Sequence, residues 1–125
     1  MKILFLDDFQ DRHDIFREQY SKDHRITHVY TAEEAIEALK VDKFDLLHLD
    51  HDLEGIYEYD FQMKNCGSAV AEWIKANLSS DKYPRQVVIH SWNVQGAENM
   101  KSLITPLGIP VELLRFSTFR LPSRV

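Results

Sequence analysis

A single cysteine, Cys66, stands in the 125 residues, which excludes an internal disulfide and a cysteine-based zinc site and agrees with a reducing compartment. Its plain reading is a structural thiol. No apolar run approaches the ~18 residues that a membrane span requires, and Lys2-Ile3-Leu4-Phe5-Leu6 reads as a strand without a cleavable signal pattern, so the expected location is cytoplasmic. Basic charge is in deficit. Fifteen Lys and Arg against 20 Asp and Glu leave −5, which argues against a nucleic-acid backbone groove, because such a groove needs a clustered basic face to displace counterions. A small phosphorylated ligand held through a metal is compatible with that charge. Repeats, low-complexity tracts and linkers are also missing. At 125 residues and 44% apolar content, the chain is expected to be one domain around a single core.

What the chain has is acid placed directly after apolar runs. Phe5-Leu6-Asp7-Asp8 and Leu49-Asp50-His51-Asp52-Leu53 each follow a stretch that reads as a buried strand. Carboxylates at the C-terminal ends of parallel strands lie on the edge where open α/β sheets bind ligands. Two carboxylates about 5 Å apart repel by roughly 3 kcal/mol at an effective dielectric near 20, so four together need a cation, a proton or basic neighbours. A divalent metal, magnesium or manganese, is the simplest answer.

Apolar runs recur at Ile3 to Leu6, Ile26 to Tyr30, Leu46 to Leu49, Val87 to Ile89 and Val111 to Phe116. Helical patterns separate them. The first spans about Asp11 to Ser21, with Asp11 as N-cap and Ile15, Phe16 and Tyr20 inward. The second starts at a Thr31/Glu34 capping box, with Ala32, Ala35, Ile36 and Leu39 inward. The third runs from about Gly67 to Ser79 on Val70, Trp73, Ile74 and Leu78. The fourth runs from about Ala97 to Ile104 on Ala97, Met100, Leu103 and Ile104, and is stopped by Thr105-Pro106. Alternating strands and helices imply right-handed crossovers and a parallel α/β sheet of five strands in the order 2-1-3-4-5, with helices on both faces. Residues 117–125 contain Pro122 and lack helical periodicity, so the last helix is expected to be missing. Residues 54–66 show neither period, and a loop of that length is more often functional than idle. Its Tyr57, Tyr59 and Phe61 either form a lid or stacking surface or pin the loop to the body.

The path from Ile3-Leu4-Phe5-Leu6-Asp7-Asp8 through Asp45-Leu46-Leu47-His48-Leu49-Asp50 to Val87-Val88-Ile89-His90-Ser91 resembles the receiver domain of response regulators, a flavodoxin-like fold. That resemblance implies an acid pair for magnesium at Asp7 and Asp8, a phospho-accepting aspartate at Asp50, and the hydroxyl that ends strand four at Ser91. The departures are Arg115 where receivers have lysine, Phe116 where a proline follows, and His51-Asp52-Leu53 in place of an apolar continuation. Asp50-His51-Asp52, with His90-Ser91-Trp92-Asn93, Gly96 and Met100, looks like a receiver-derived family of cyclic-phosphate processing domains found in bacteria and phages. Arg12 matches that family's arginine after the early acid pair.

Residue chemistry gives each candidate a role and an alternative. Asp7, Asp8, Asp50 and Asp52 are the candidate metal ligands; the alternatives are helix-capping turn acids for the first pair, a nucleophile for Asp50 and an Asx-turn for Asp52. His51 and His90 are candidate general acid and base, or hydrogen-bonded structural groups. His48 reads as a core residue that orients a ligand. His13, His24 and His28 read as surface residues. Ser91 and Asn93 can hold phosphate oxygens, and Asn93 can equally cap the fourth helix. Arg12 and Arg115 either clamp phosphate or pair with the acids. Trp92 reads as packing. The expected function is a metal-dependent phosphoesterase acting on a cyclic phosphate of a nucleotide or ADP-ribose-like molecule. The alternatives are a receiver phosphorylated at Asp50, and a nucleotide-sequestering protein without chemistry. A haloacid-dehalogenase-like phosphatase also uses Asp-x-Asp, but its expected lysine and later acids are missing.

Overall fold

Residues 1–53 and 65–114 are described by the computed structural model. The loop with Tyr57, Tyr59 and Phe61, the strand-end Arg115 and Phe116, and the expected missing helix lie outside them. The elements run β1 (Lys2–Leu6), α1 (Gln10–Tyr20), β2 (Arg25–Val29), α2 (Ala32–Val41), β3 (Leu46–Leu49), α3 (Gly67–Asn77), β4 (Gln86–His90), α4 (Val94–Ile104) and β5 (Val111–Leu114), with short 3-10 turns at Ser80–Lys82 and Thr105–Leu107. The five strands pair in parallel, in the expected order β2-β1-β3-β4-β5, and an isolated antiparallel bridge joins Asp52 and Cys66. Among the described residues no helix is long and apolar enough to cross a membrane.

Strand parity divides the core into two layers. Leu4, Leu6, Leu47, Leu49, Val87 and Ile89 face α2, α3 and α4 in the larger cluster. Ile3, Phe5, Leu46 and Val88 face the other way and pack with Phe16 of α1. Because side chains alternate along a strand, the second parity continues to Asp7 after Phe5, to His48 and Asp50 after Leu46, and to His90 after Val88. The registers set Phe5 beside both His28 on β2 and His48 on β3, so this face carries a row of rings next to its acids.

The helices depart from expectation at their ends. α1 begins at Gln10, one residue early, and Phe9 occupies the N-cap position without a side-chain bond, so Asp11 lies inside the first turn. Ile15 is 46% exposed; His13 and Phe16 form the buried face instead. α2 starts as expected, with Thr31 Oγ1 accepting the Glu34 N–H at 3.1 Å; Glu34 reaches back to the Tyr30 N–H at 2.7 Å. Ala32, Ala35 and Leu39 are buried, whereas Ile36 is half-buried. α3 ends at Asn77, and Leu78 is already extended. α4 starts three residues earlier than its apolar spacing indicates, because Asn93 Oδ1 accepts the Gly96 N–H at 2.8 Å and caps the helix. Gly108, at φ 87°, supplies the left-handed residue that turns the chain into β5.

Gly67 opens α3 against the end of β3. A β-carbon there would lie 2.3 Å from the Asp50 carbonyl oxygen and 2.7 Å from the Met100 side chain, and the first of these is backbone that cannot step aside. Gly67→Ala is therefore expected to destabilise the fold by about 1–3 kcal/mol, as overpacked sites do. Chemical denaturation checks this, and a midpoint equal to wild type would contradict it.

Candidate functional site

Asp7, Asp50 and His90 end three neighbouring strands on the α1 face, and all three are buried. Each offers a ligand atom, and these atoms lie within 4.8 Å of one another. Asp7 is the most heavily bonded. Its Oδ1 accepts the Phe9 N–H at 2.9 Å and an Arg12 guanidinium N–H at 3.2 Å, and its Oδ2 faces Arg12 at 3.1 Å and His90 Nε2 at 2.8 Å. Burial pushes the Asp7 carboxyl up, but the His90 bond, the Phe9 N–H and the Arg12 charge together hold it below the usual carboxylate range. Asp7 is thus ionised.

Asp50 is treated very differently. Its Oδ1 accepts the His51 N–H at 2.8 Å, and Arg12 stands 3.6 Å from its Oδ2, beyond hydrogen-bond reach. Burial, then the negative charge of Asp7, push its pKa up to about 8; the His51 N–H and Arg12 oppose this, and Asp8 adds to it. One guanidinium therefore serves two carboxylates and neutralises one of them. A hard divalent cation, which takes oxygen ligands, would displace the Asp50 proton and balance both carboxylates. His90 Nε2 is committed to Asp7 in this geometry, so the carboxylate oxygens are the more open donors.

Histidines hold Asp7 in place. Burial keeps His90 neutral despite the bond to Asp7, which pulls the other way. A neutral ring that donates Nε2–H to Asp7 must accept at Nδ1, and His48 Nδ1 lies 2.7 Å from that atom. His48, read from the sequence as a core residue, is fully buried and makes this contact with His90. A second pair has the same form: His13 Nε2 donates to the Asp7 carbonyl at 2.8 Å, and His13 Nδ1 lies 2.7 Å from His28 Nδ1. Burial lowers the pKa of His13, and burial with the nearby His13 and Arg17 takes His28 down to about 4. The surface reading of His13 and His28 is corrected here: His13 is fully buried and His28 half-buried, because each satisfies the other. His24 is half-buried too, with Nδ1 3.0 Å from the amino terminus. The Phe5 ring stacks on His90 (5.2 Å, 6°) and on Phe16 (4.2 Å, 19°) and meets His13 edge-on.

The other expected residues gather beside this centre. His51 Nδ1 lies 2.7 Å from Asp52 Oδ1, and His51 Nε2 lies 3.0 Å from Ser68 Oγ. Asn93 donates from Nδ2 to Asp52 at 3.0 Å while it caps α4, and its own N–H donates to Ser91 Oγ at 3.0 Å. Gly96 lets the His51 ring lie against α4, where a β-carbon would stand 2.6 Å from it. Burial opposes a charge on His51, but Cys66 and Asp52 outweigh it and raise the pKa. Burial likewise resists the Cys66 thiolate, but His51 and the α3 backbone N–H groups draw that thiol down. Asp8, half-buried and of opposite parity, and Asp52, engaged with His51 and Asn93, are not among the three groups that converge. Ser68, Asn99 (whose Nδ2 donates to Ser68 Oγ at 2.9 Å), His13 and His28 belong to the surroundings of the site and were not singled out as site residues in the sequence. Only the i, i+3 spacing of His13 and Phe16 hints at one of them.

Asp50 sets a pH dependence with a definite sign. The folded protein holds its proton up to about pH 8, whereas the unfolded chain releases it near 3.8, so between those values rising pH favours unfolding. In chelator, Asp50→Asn is expected to melt above wild type by a margin that widens from about pH 4 to about pH 8. Saturating magnesium should stabilise wild type more than the variant. A margin independent of pH would contradict the account.

Comparison with known proteins agrees with this fold. A receiver domain (CheY-like) from Methylobacillus flagellatus superposes with a TM-score of 0.69 at 16% identity, covering 95% of this chain and 88% of that one. A two-component response regulator from Clostridium difficile gives 0.66 at 20% identity, with 95% and 85% covered. A response regulator from Burkholderia pseudomallei, solved with a phosphorylated aspartic acid, a calcium ion and citrate, gives 0.65 at 13% identity, with 94% and 61% covered. No curated protein matches in sequence. These likenesses establish the receiver fold. Residues 2–106 match the cyclic-phosphate processing receiver domain, and the chain belongs to that family.

Proposed function

We propose that the domain is a metal-dependent phosphoesterase that opens a cyclic phosphate on a nucleotide or an ADP-ribose-like small molecule. The observation that carries this reading is the convergence of Asp7, Asp50 and His90 at one sheet edge, in a chain of the cyclic-phosphate family, with Arg12 bonded to Asp7 and only 3.6 Å from Asp50. Asp7 and Asp50 would hold magnesium or manganese, with Asp8 close by. A metal there would polarise the phosphoryl group and lower the pKa of the attacking water.

The chain's own groups divide the remaining work. In the balanced reaction, water oxygen bonds to phosphorus, the bond from phosphorus to one ribose oxygen breaks, that oxygen takes a proton from the protein, and a proton of the attacking water passes to solvent and re-protonates the protein group, leaving a monoester. His51 is the better proton source of the two candidate histidines: its pKa is raised, Asp52 fixes its Nδ1–H, and it keeps some exposure. His90 is fully buried between Asp7 and His48 with its pKa lowered, and acts by positioning Asp7. Arg12, Ser91 Oγ and Asn93 Nδ2 supply donors for non-bridging oxygens, where phosphoryl transfer concentrates charge.

A second reading has a specific observation in its favour. The receiver fold, together with the phosphorylated aspartic acid of the Burkholderia pseudomallei regulator, suits Asp50 as a phospho-acceptor. It predicts a base-labile mass gain of one phosphoryl group after exposure to a small phosphodonor, lost in Asp50→Asn.

Phosphorus NMR on the protein with magnesium and a panel of nucleotide and ADP-ribose cyclic phosphates tests the leading reading. Wild type should convert a cyclic resonance to a monoester, and Asp50→Asn and His51→Gln should each slow this by about 100-fold or more. Undiminished turnover in both variants would remove the mechanism. Ligand resonances that shift without conversion would select a binding protein.

A further inference from the structure

Arg12 stands where the two buried acids need positive charge. Its guanidinium contacts both oxygens of Asp7 and faces Asp50. We propose that Arg12 is a tethered counter-ion in competition with the divalent metal, and that metal entry releases it to bind the phosphate of the ligand. The proposal rests on reading Asp7 and Asp50 as the metal ligands and adds an order to their occupation.

Exposure singles out Arg12 among the partners of Asp7. The Phe9 N–H is backbone, and the His90 ring is fully buried between Asp7 and His48. Neither can leave without disturbing the core. Arg12 instead projects from the first turn of α1 with its side chain 25% exposed, and its guanidinium lies 5.2 Å from the centroid of the exposed Phe9 ring. An arginine planar face is stabilised over an aromatic ring, and Phe9 makes this contact with the guanidinium already on Asp7.

Charge supplies the direction. With Arg12 in place, its guanidinium is taken up by both oxygens of Asp7 and is not available to a phosphate. A dication on the same carboxylates balances them, and the freed guanidinium becomes a bidentate donor for phosphate at the rim. Arg12 on Asp7 therefore disfavours both metal and phosphate, and Arg12 off Asp7 favours both. By linkage each ligand must tighten the other, by the 5- to 150-fold typical of coupled sites.

The test uses manganese and inorganic phosphate. Metal-free wild type and Arg12→Gln are titrated with manganese, without phosphate, and free metal is read by electron paramagnetic resonance. Arg12→Gln should bind manganese about 10-fold tighter than wild type. In wild type, phosphate should tighten manganese binding, and in Arg12→Gln that coupling should shrink. Equal or weaker manganese binding by the variant overturns the proposal while leaving the metal site standing. No manganese binding by either protein overturns the metal site and the proposal together. If Arg12→Gln fails to fold by circular dichroism, Arg12→Lys takes its place: its shorter, non-planar cation should also bind manganese more tightly than wild type, and equal or weaker binding overturns the proposal.

Discussion

Two carboxylates buried side by side, Asp7 and Asp50, are the constraint on which the rest of this site depends. At about 5 Å and an effective dielectric near 20 their repulsion is roughly 3 kcal/mol, a large part of the 5–15 kcal/mol that a small domain has in total. The structure handles the two unequally. Asp7 receives a backbone N–H, an imidazole and a guanidinium, and is ionised; Asp50 receives one backbone N–H and a distant guanidinium, and is pushed towards its protonated form. That asymmetry is what the proposed metal would relieve.

The neutral histidines follow from the same constraint. Charged rings on His13 and His90 would compensate the acids but would themselves be buried cations, and desolvation opposes them. As neutral pairs, His90 with His48 and His13 with His28, they satisfy each other and spend their outer N–H groups on Asp7. Phe5 in the middle of the row packs these rings rather than bonding to their polar atoms. The result is a rigid seat for one carboxylate beside a less constrained one, an arrangement suited to holding a cation at a fixed place on the sheet edge.

Much of the fold was legible because strands and helix starts announce themselves locally. Residues 3–6 of β1 are a continuous apolar run of the kind an interior parallel strand requires, and Thr31 carries its own cap. The position of Asp7 and Asp50 followed from those strands. The histidine shell was not legible for the same reason in reverse: a histidine adds nothing to apolar periodicity, and only the register that sets Phe5 between His28 and His48 tells that it is inside. Ile15 misled because the inner face of α1 is narrow and His13 takes one of its places. Whether Arg12 pairs with acid or waits for phosphate was equally open, since the choice depends on a long side chain. Asp52 looked like a ligand by its spacing, but its carboxylate turns to His51 and Asn93.

The most direct test of the account is the titration of the Asp50 side-chain carboxyl by carbon NMR, assigned with Asp50→Asn and followed in chelator and in saturating magnesium. The account predicts an apparent pKa of about 8 without metal and a fall into the ordinary carboxylate range with it. Titration near 3.8 in chelator, unmoved by magnesium, would contradict it, since Asp50 would then need no cation beyond Arg12.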